Sequence, residues 1–171
     1  MIFIDRSSDL VHFLGCTNGN TFITFDDLGS TGSVPSGYKN IIWTNANAYL
    51  PSSSTNGYYT ALTTSPYDVF NPFGNPMTIE SANANLITLY SLVAAAAWYD
   101  NLQLTVVGYN SNTVVATATF TLQVFTASYL TFSGFTGLDT ITFTTSGGTA
   151  NPGVSGSGTQ FAMDNICLNL I

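Results

Sequence analysis

The chain closes on QFAMDNICLNLI, residues 160–171. Read as a strand, Phe161 and Met163 alternate with smaller neighbours, as one buried face of a sheet requires. Ile166, Leu168 and Leu170 also alternate, but one residue out of step. The slip falls on Asp164-Asn165, the one strongly polar pair in the stretch. Strand side chains have a period of two, so an uncorrected slip would turn half the strand inside out. A β-bulge at Asp164-Asn165 absorbs the extra residue and lets Phe161, Met163, Ile166, Leu168 and Leu170 all face the core. The stretch therefore predicts a last core strand that is bulged in its middle. Asp164 turns toward the rim, and Cys167 lies on the side opposite Ile166 and Leu168.

Working back from that strand, short β-rich runs recur between turn signals. They are TFITF (21–25), NIIWT (40–44), YYTALTT (58–64), MTIES (77–81), LITLYSLVAAAAW (86–98), LQLTVVGY (102–109), TVVATATFTLQVF (113–125), YLTFSG (129–134) and DTITFTT (139–145). Segments such as NPFGNP and TSGGTANPGVSGSGT break them. SLVAAAAWY is rich in Ala, the best helix former. It has no cap and sits between β-type runs, so it reads as a buried strand packed closely against another layer. LQLTVVGYNSNTVVATATF reads as a hairpin turning at Asn110-Ser111-Asn112. About ten strands without a convincing helix predict an all-β fold, an antiparallel two-sheet β-sandwich of jelly-roll type. Residues 1–20 form an N-terminal arm and residues 21–171 a single domain.

The 171 residues are 45% hydrophobic and only 6% charged, against ~25% in ordinary soluble domains. The polar surface is then Ser, Thr, Asn and Gly, a composition that points to an extracellular or cell-surface setting. Lys39 and Arg6 are the only strong bases, against nine acids, for a net charge of −7. Phosphate backbones are held by clustered Lys and Arg, so nucleic acid is excluded as a partner. No apolar run reaches the ~18–20 residues of a membrane helix, so membrane insertion is not expected. MIFIDRSSDLVHFLG makes a poor signal peptide, which implies a leader already removed or a piece of a larger protein. Cys16 and Cys167, at opposite ends, suggest one disulfide, with two unrelated thiols as the alternative.

Enzyme chemistry finds little footing. The single His, His12, lies in the arm, which leaves no Ser-His-Asp relay in the domain. One His and two Cys do not make a zinc site. Glu80 is the sole Glu, and its spacing to Asp68 or Asp100 favours no glycosidase pair. The chain reads as non-catalytic.

Sugar recognition needs flat aromatic faces beside polar groups. Tyr49, Tyr58 and Tyr59, set among Asn and Ser, meet that need, as do Trp98, Tyr99, Asp100 and Asn101 in the turn after the alanine run. Burial in the sandwich is the competing reading for each of them, and Trp43 reads as core. Nine acids with hardly a basic partner favour a cation such as Ca²⁺, or simply aid solubility.

ITFDDL, VPSGYKNIIWTN, FNPFGNP, a LVAAAAWYDNLQLTVVGYNSNTVV hairpin, LDTITFTTSGGT and GTQFAMDNICL follow one another in that order. This pattern, spanning about residues 21–170, resembles secreted domains of the galactose-binding-like β-sandwich superfamily, which includes many carbohydrate-binding modules. It is most like uncharacterised extracellular microbial versions. The resemblance implies a structural Ca²⁺ where the first and last strands meet. Its ligands would be Asp26 or Asp27 with Asp164, completed by carbonyls of the loop 29–37. Thr21 would then stand near Asn169 and Asp26 near Asp164. The alternative is that Asp164 caps a kink and Asp26-Asp27 opens a turn. Two functions follow. One is a secreted carbohydrate-binding or adhesion module held by Ca²⁺, with a glycan as partner. The other is a subunit of an extracellular filament or surface assembly, a homo-oligomer polymerising through its apolar arm into neighbouring subunits.

Overall fold

The structure, a computed structural model, describes residues 16–171 apart from Asn18 and Ser54. Most of the expected arm, His12 included, lies outside the described residues. Twelve strands are present among them: β1 (Thr21–Ile23), β2 (Gly32–Ser33), β3 (Ile41–Thr44), β4 (Asn47–Tyr49), β5 (Asp68–Phe70), β6 (Met77–Ser81), β7 (Ile87–Ala96), β8 (Tyr99–Asn110), β9 (Thr113–Leu122), β10 (Ser128–Thr131), β11 (Thr140–Ala150) and β12 (Phe161–Leu170). One sheet runs β10-β7-β12-β5-β4-β2, with β1 also paired to β12; the other runs β3-β6-β11-β8-β9. Every pairing is antiparallel. The sheets pack face to face as the expected sandwich.

β12 is bulged where its sequence predicts, but Asp164 is fully buried rather than turned toward the rim. Its pairing with β7 shifts register after Asp164↔Val93 and again around Cys167↔Ser91. Asn165 takes the left-handed conformation at φ 53, the αL backbone to which Asn, almost alone among non-glycine residues, is suited. Phe161, Met163, Ile166 and Leu168 all enter the core, beside Leu104, Ile141 and Phe143. Cys167 faces the other way and is bonded to Cys16. The bond closes a loop with a sequence separation of 151, for which chain entropy gives about 5 kcal/mol. β1 pairs with β12 at Thr21↔Leu168, one residue from the expected register.

The β8–β9 hairpin turns at Ser111 and Asn112, with φ of 50 and 61. Two left-handed residues make a primed turn whose twist matches its strands. The longer hairpin expected from LVAAAAW onward is instead a corner, because β7 belongs to one sheet and β8 to the other. Ala94 and Ala96 of β7 face the main core, while Ala95 faces a second, smaller cluster on the outer side of the sheet.

That second cluster exists because YYTALTT is not a strand. Gly57–Ala61 forms one turn of α-helix, α1, capped by Asn56, whose side chain accepts from Tyr59 N. A Cβ on Gly57 would stand 1.7 Å from Ala96 O, so only glycine lets the helix start against β7. Tyr58 and Ala61 then bury on Ala95, Ala97 and Ala162. A one-turn helix owes its stability to such packing rather than to propensity.

Candidate functional site

Along β12 the residues between the core positions point outward, toward α1. β5 lies beside β12 with Ala162↔Phe70 and Met163↔Val69 in register. Continuing that register sets Asp68 opposite Asp164. Val69 and Met163 fill the core, so Asp68 and Asp164 face the outer side, where loop 62–67 lies over Asp164. Both carboxyls are fully buried.

The two differ in their partners. Asp164 Oδ2 accepts from Thr63 N at 2.9 Å and Thr64 N at 2.8 Å, and Oδ1 from Asn165 N at 2.7 Å. The Thr63 and Thr64 hydroxyls also reach it. Asn165 Nδ2 donates to Thr63 Oγ1 at 2.6 Å. The bulge thus sets two neighbouring side chains to fasten one loop. Burial still pushes the Asp164 carboxyl up to about 7, against the lowering effect of the Thr64, Thr63 and Asn165 amides. Asp68 has no hydrogen-bond partner on either oxygen. Burial first, then the Asp164 charge, raises its pKa well above the ordinary carboxyl value.

Of the expected metal ligands, Asp26 lies near Asp164 and Asp27 is turned away from it. Asp27 is turned to Lys39, its salt-bridge partner, and to the Tyr38 hydroxyl, which hold its carboxyl below the usual range. Asp26 is close enough to Asp164 to add to its upward shift and is itself raised by burial, with Oδ1 lacking a partner. The lone pairs that Asp164 would offer a cation are engaged by N–H groups. Among the described residues no three His, Cys, Asp or Glu side chains are arranged to hold a metal ion. Asp164 is thus a carboxylate held by the protein's own backbone amides.

Above the fastened loop lies a groove of about 420 Å³ lined by Leu50, Pro51, Tyr59, Leu62 and residues 63–66. Tyr59, 47% exposed, brings an aromatic face to it. The other aromatics expected to bind divide into two groups. Tyr58 is buried, with its ring 5.0 Å from Tyr49, 5.1 Å from Phe70 and 5.3 Å from Trp98. Tyr58 therefore forms packing under α1, with the half-buried Tyr49 and Trp98 against it. The Tyr99–Asn101 corner is tied to its neighbours. Asp100 accepts from Val124 N and Asn151 Nδ2, and Asn101 exchanges two hydrogen bonds with Gln123. Trp43 is core, as expected, with Nε1 donating to Tyr38 O.

No protein-family model and no curated protein matches the chain. Solved structures do. A DUF4465 family protein from Bacteroides caccae is similar at a TM-score of 0.59 and 11% identity, over 90% of this chain and 88% of that one. A DUF4465 family protein from Bacteroides ovatus is similar at 0.52 and 9%, over 89% and 94%. TmCBM61, solved in complex with β-1,4-galactotriose, gives 0.45 and 8%, over 80% and 95%. At these identities the likeness to the two Bacteroides proteins is one of fold, and it bears out the β-sandwich expected from the sequence.

Proposed function

We propose that the chain is a non-catalytic carbohydrate-binding module whose ligand lies in the groove beside Tyr59. The groove itself carries the reading. It sets one exposed aromatic ring next to Pro and Leu side chains and next to the Thr63, Thr64 and Ser65 hydroxyls. A pyranose has an apolar face suited to the ring and hydroxyls suited to such donors and acceptors. The floor is held in advance by Asp164 and Asn165, which spares the ordering cost that a loose loop would add to binding. Asp164, which fastens the groove's floor, is fully buried, and no pair of carboxyls lines the groove, which supports binding without hydrolysis. A charge-poor Ser/Thr/Asn surface and a long-range disulfide favour an extracellular setting.

A glycan array followed by calorimetry on the best binder tests the reading. Tyr59→Ala is expected to abolish retention while the far- and near-UV circular dichroism stay unchanged. An array without a binder, or binding indifferent to Tyr59→Ala, overturns it.

A further inference from the structure

Among the described residues β9 is an edge of the five-stranded sheet: β8 pairs with one side of it and no strand with the other. Free edges present rows of unpaired N–H and C=O groups, and most proteins blunt them with charge, Pro or brevity. The other edges here are short: β3 and β10 have four residues each and β2 has two. β9 has ten residues, TVVATATFTL, with no charge and no Pro. Its one irregularity is a bulge near its start, where the β8 pairing shifts between Gly108 and Tyr109.

We propose that β9 docks a second copy of this chain, by antiparallel two-fold β9–β9 pairing that joins two five-stranded sheets into one.

The occupant follows from the strand's own pattern. With the axis at Ala118, Ala118 meets Ala118, and Phe120 meets Ala116 of the second copy. Large falls opposite small on the inner face, where Ala116, Ala118 and Phe120 are only partly buried against the core. On the outer face Thr117 meets Thr119, and Val115 meets Thr121, all of them exposed; such β-branched and hydroxyl pairs favour a sheet. Charge points the same way. A chain of net charge −7 repels its copies unless they meet where charge is absent, and β9 is the longest such edge among the described residues. The pairing also covers Val114 and Val115, which are 55% and 47% exposed. A two-fold contact of this kind is self-complementary and closes at the dimer.

Sedimentation equilibrium across a dilution series tests it, with the full chain. The wild-type mass is expected to rise from 18.2 kDa toward twice that value. Thr117→Lys with Thr119→Lys sets Lys against Lys at both paired positions, and that variant is expected to stay monomeric with an unchanged melting temperature. Thr117→Glu with Thr119→Glu is expected to do the same. Mixing the Lys and Glu variants is expected to restore the doubled mass. A wild-type chain that is monomeric throughout, charged variants that dimerise alone, or a mixture that fails to dimerise overturns the proposal. So does a dimer lost on deletion of residues 1–14 but kept in the charged variants.

Discussion

Asp68 and Asp164 lie opposite each other on adjacent antiparallel strands, both without solvent exposure, and only Asp164 has hydrogen-bond partners. Two ionised carboxylates side by side in a dry site repel strongly. The two differ in support for a charge: Asp164 has amide donors, whereas Asp68 has none and burial beside Asp164 raises its pKa well above the ordinary carboxyl value. Asp164 is also the one that fastens the floor of the Tyr59 groove, which links the electrostatics of a core strand to the shape of the candidate site.

The pair predicts an acid-favoured stability. An Asp in the unfolded chain titrates near ~3.9. Folded Asp164 is raised to about 7 and Asp68 well above its usual range. Between the unfolded and folded values the native state binds more protons than the unfolded state. Stability therefore falls as pH rises through that window, by up to about 4 kcal/mol for Asp164 alone. Asp27, with its lowered pKa, acts in the opposite sense, but it is exposed and screened. Thermal melts are expected to show a higher Tm near pH 4–5 than near pH 8. A Tm that climbs steadily toward alkaline pH would contradict the assignment.

The two members respond differently to the same change. Asp68→Asn removes a buried ionisable group that has no partner, so at neutral pH it is expected to be neutral or stabilising and to flatten the pH dependence. Asp164→Asn leaves the Thr63 and Thr64 amides facing an amide in place of a carboxylate, at a cost of about 2–3 kcal/mol. Hydrogen exchange at those two amides is expected to speed up in Asp164→Asn and to stay slow in Asp68→Asn. Equal destabilisation by the two variants would remove the distinction.

Gly57 supplies a packing test of the same roof. A Cβ there meets Ala96 O at 1.7 Å and Ala96 C at 2.5 Å, both backbone atoms of a central strand. Neither can move aside cheaply, so Gly57→Ala is expected to lift α1 and cost about 3 kcal/mol. Tyr59 leaves the groove with the helix, so glycan retention is lost together with stability. A variant that melts like the wild type would show that α1 has room the structure does not give it.

These features differ in how far the sequence reveals them. The bulge in β12 is legible because phase is local: Met163 and Ile166 cannot both face the core without it. The β8–β9 turn is legible for the same reason, at Ser111-Asn112. α1 is not, since Tyr58, Tyr59 and Thr60 favour strands and the deciding contact is between Gly57 and a carbonyl on β7. Ser65-Pro66, a breaker next to the run read as a strand, is the local sign that was available. The Asp68–Asp164 pairing is hidden because it depends on which strands become neighbours. Lys39 reaching Asp27 is hidden too, and it removes one carboxylate from the expected metal set. Trp98 and Tyr58 look alike in sequence whether they face a sugar or each other.

Calcium gives the last test, because the donors at Asp164 and the resemblance-based expectation point in different directions. Ca²⁺ takes six to eight oxygens. Asp164 already receives the amides of Thr63, Thr64 and Asn165, and an N–H group aimed at a carboxylate oxygen occupies a lone pair that the cation would need. Asp27 is committed to Lys39. Among the described residues the buried carboxyl oxygens without a partner belong to Asp26 and Asp68, and the pKa of Asp68 is raised well above its ordinary value by burial. The melting temperature at neutral pH is therefore expected to be the same in excess Ca²⁺ and in EDTA. A Ca²⁺-dependent rise would mean that the ion displaces the loop donors. Faster exchange at the Thr63 and Thr64 amides in Ca²⁺ would accompany it, and the loss of the rise in Asp26→Asn would place the ion between the first and last strands.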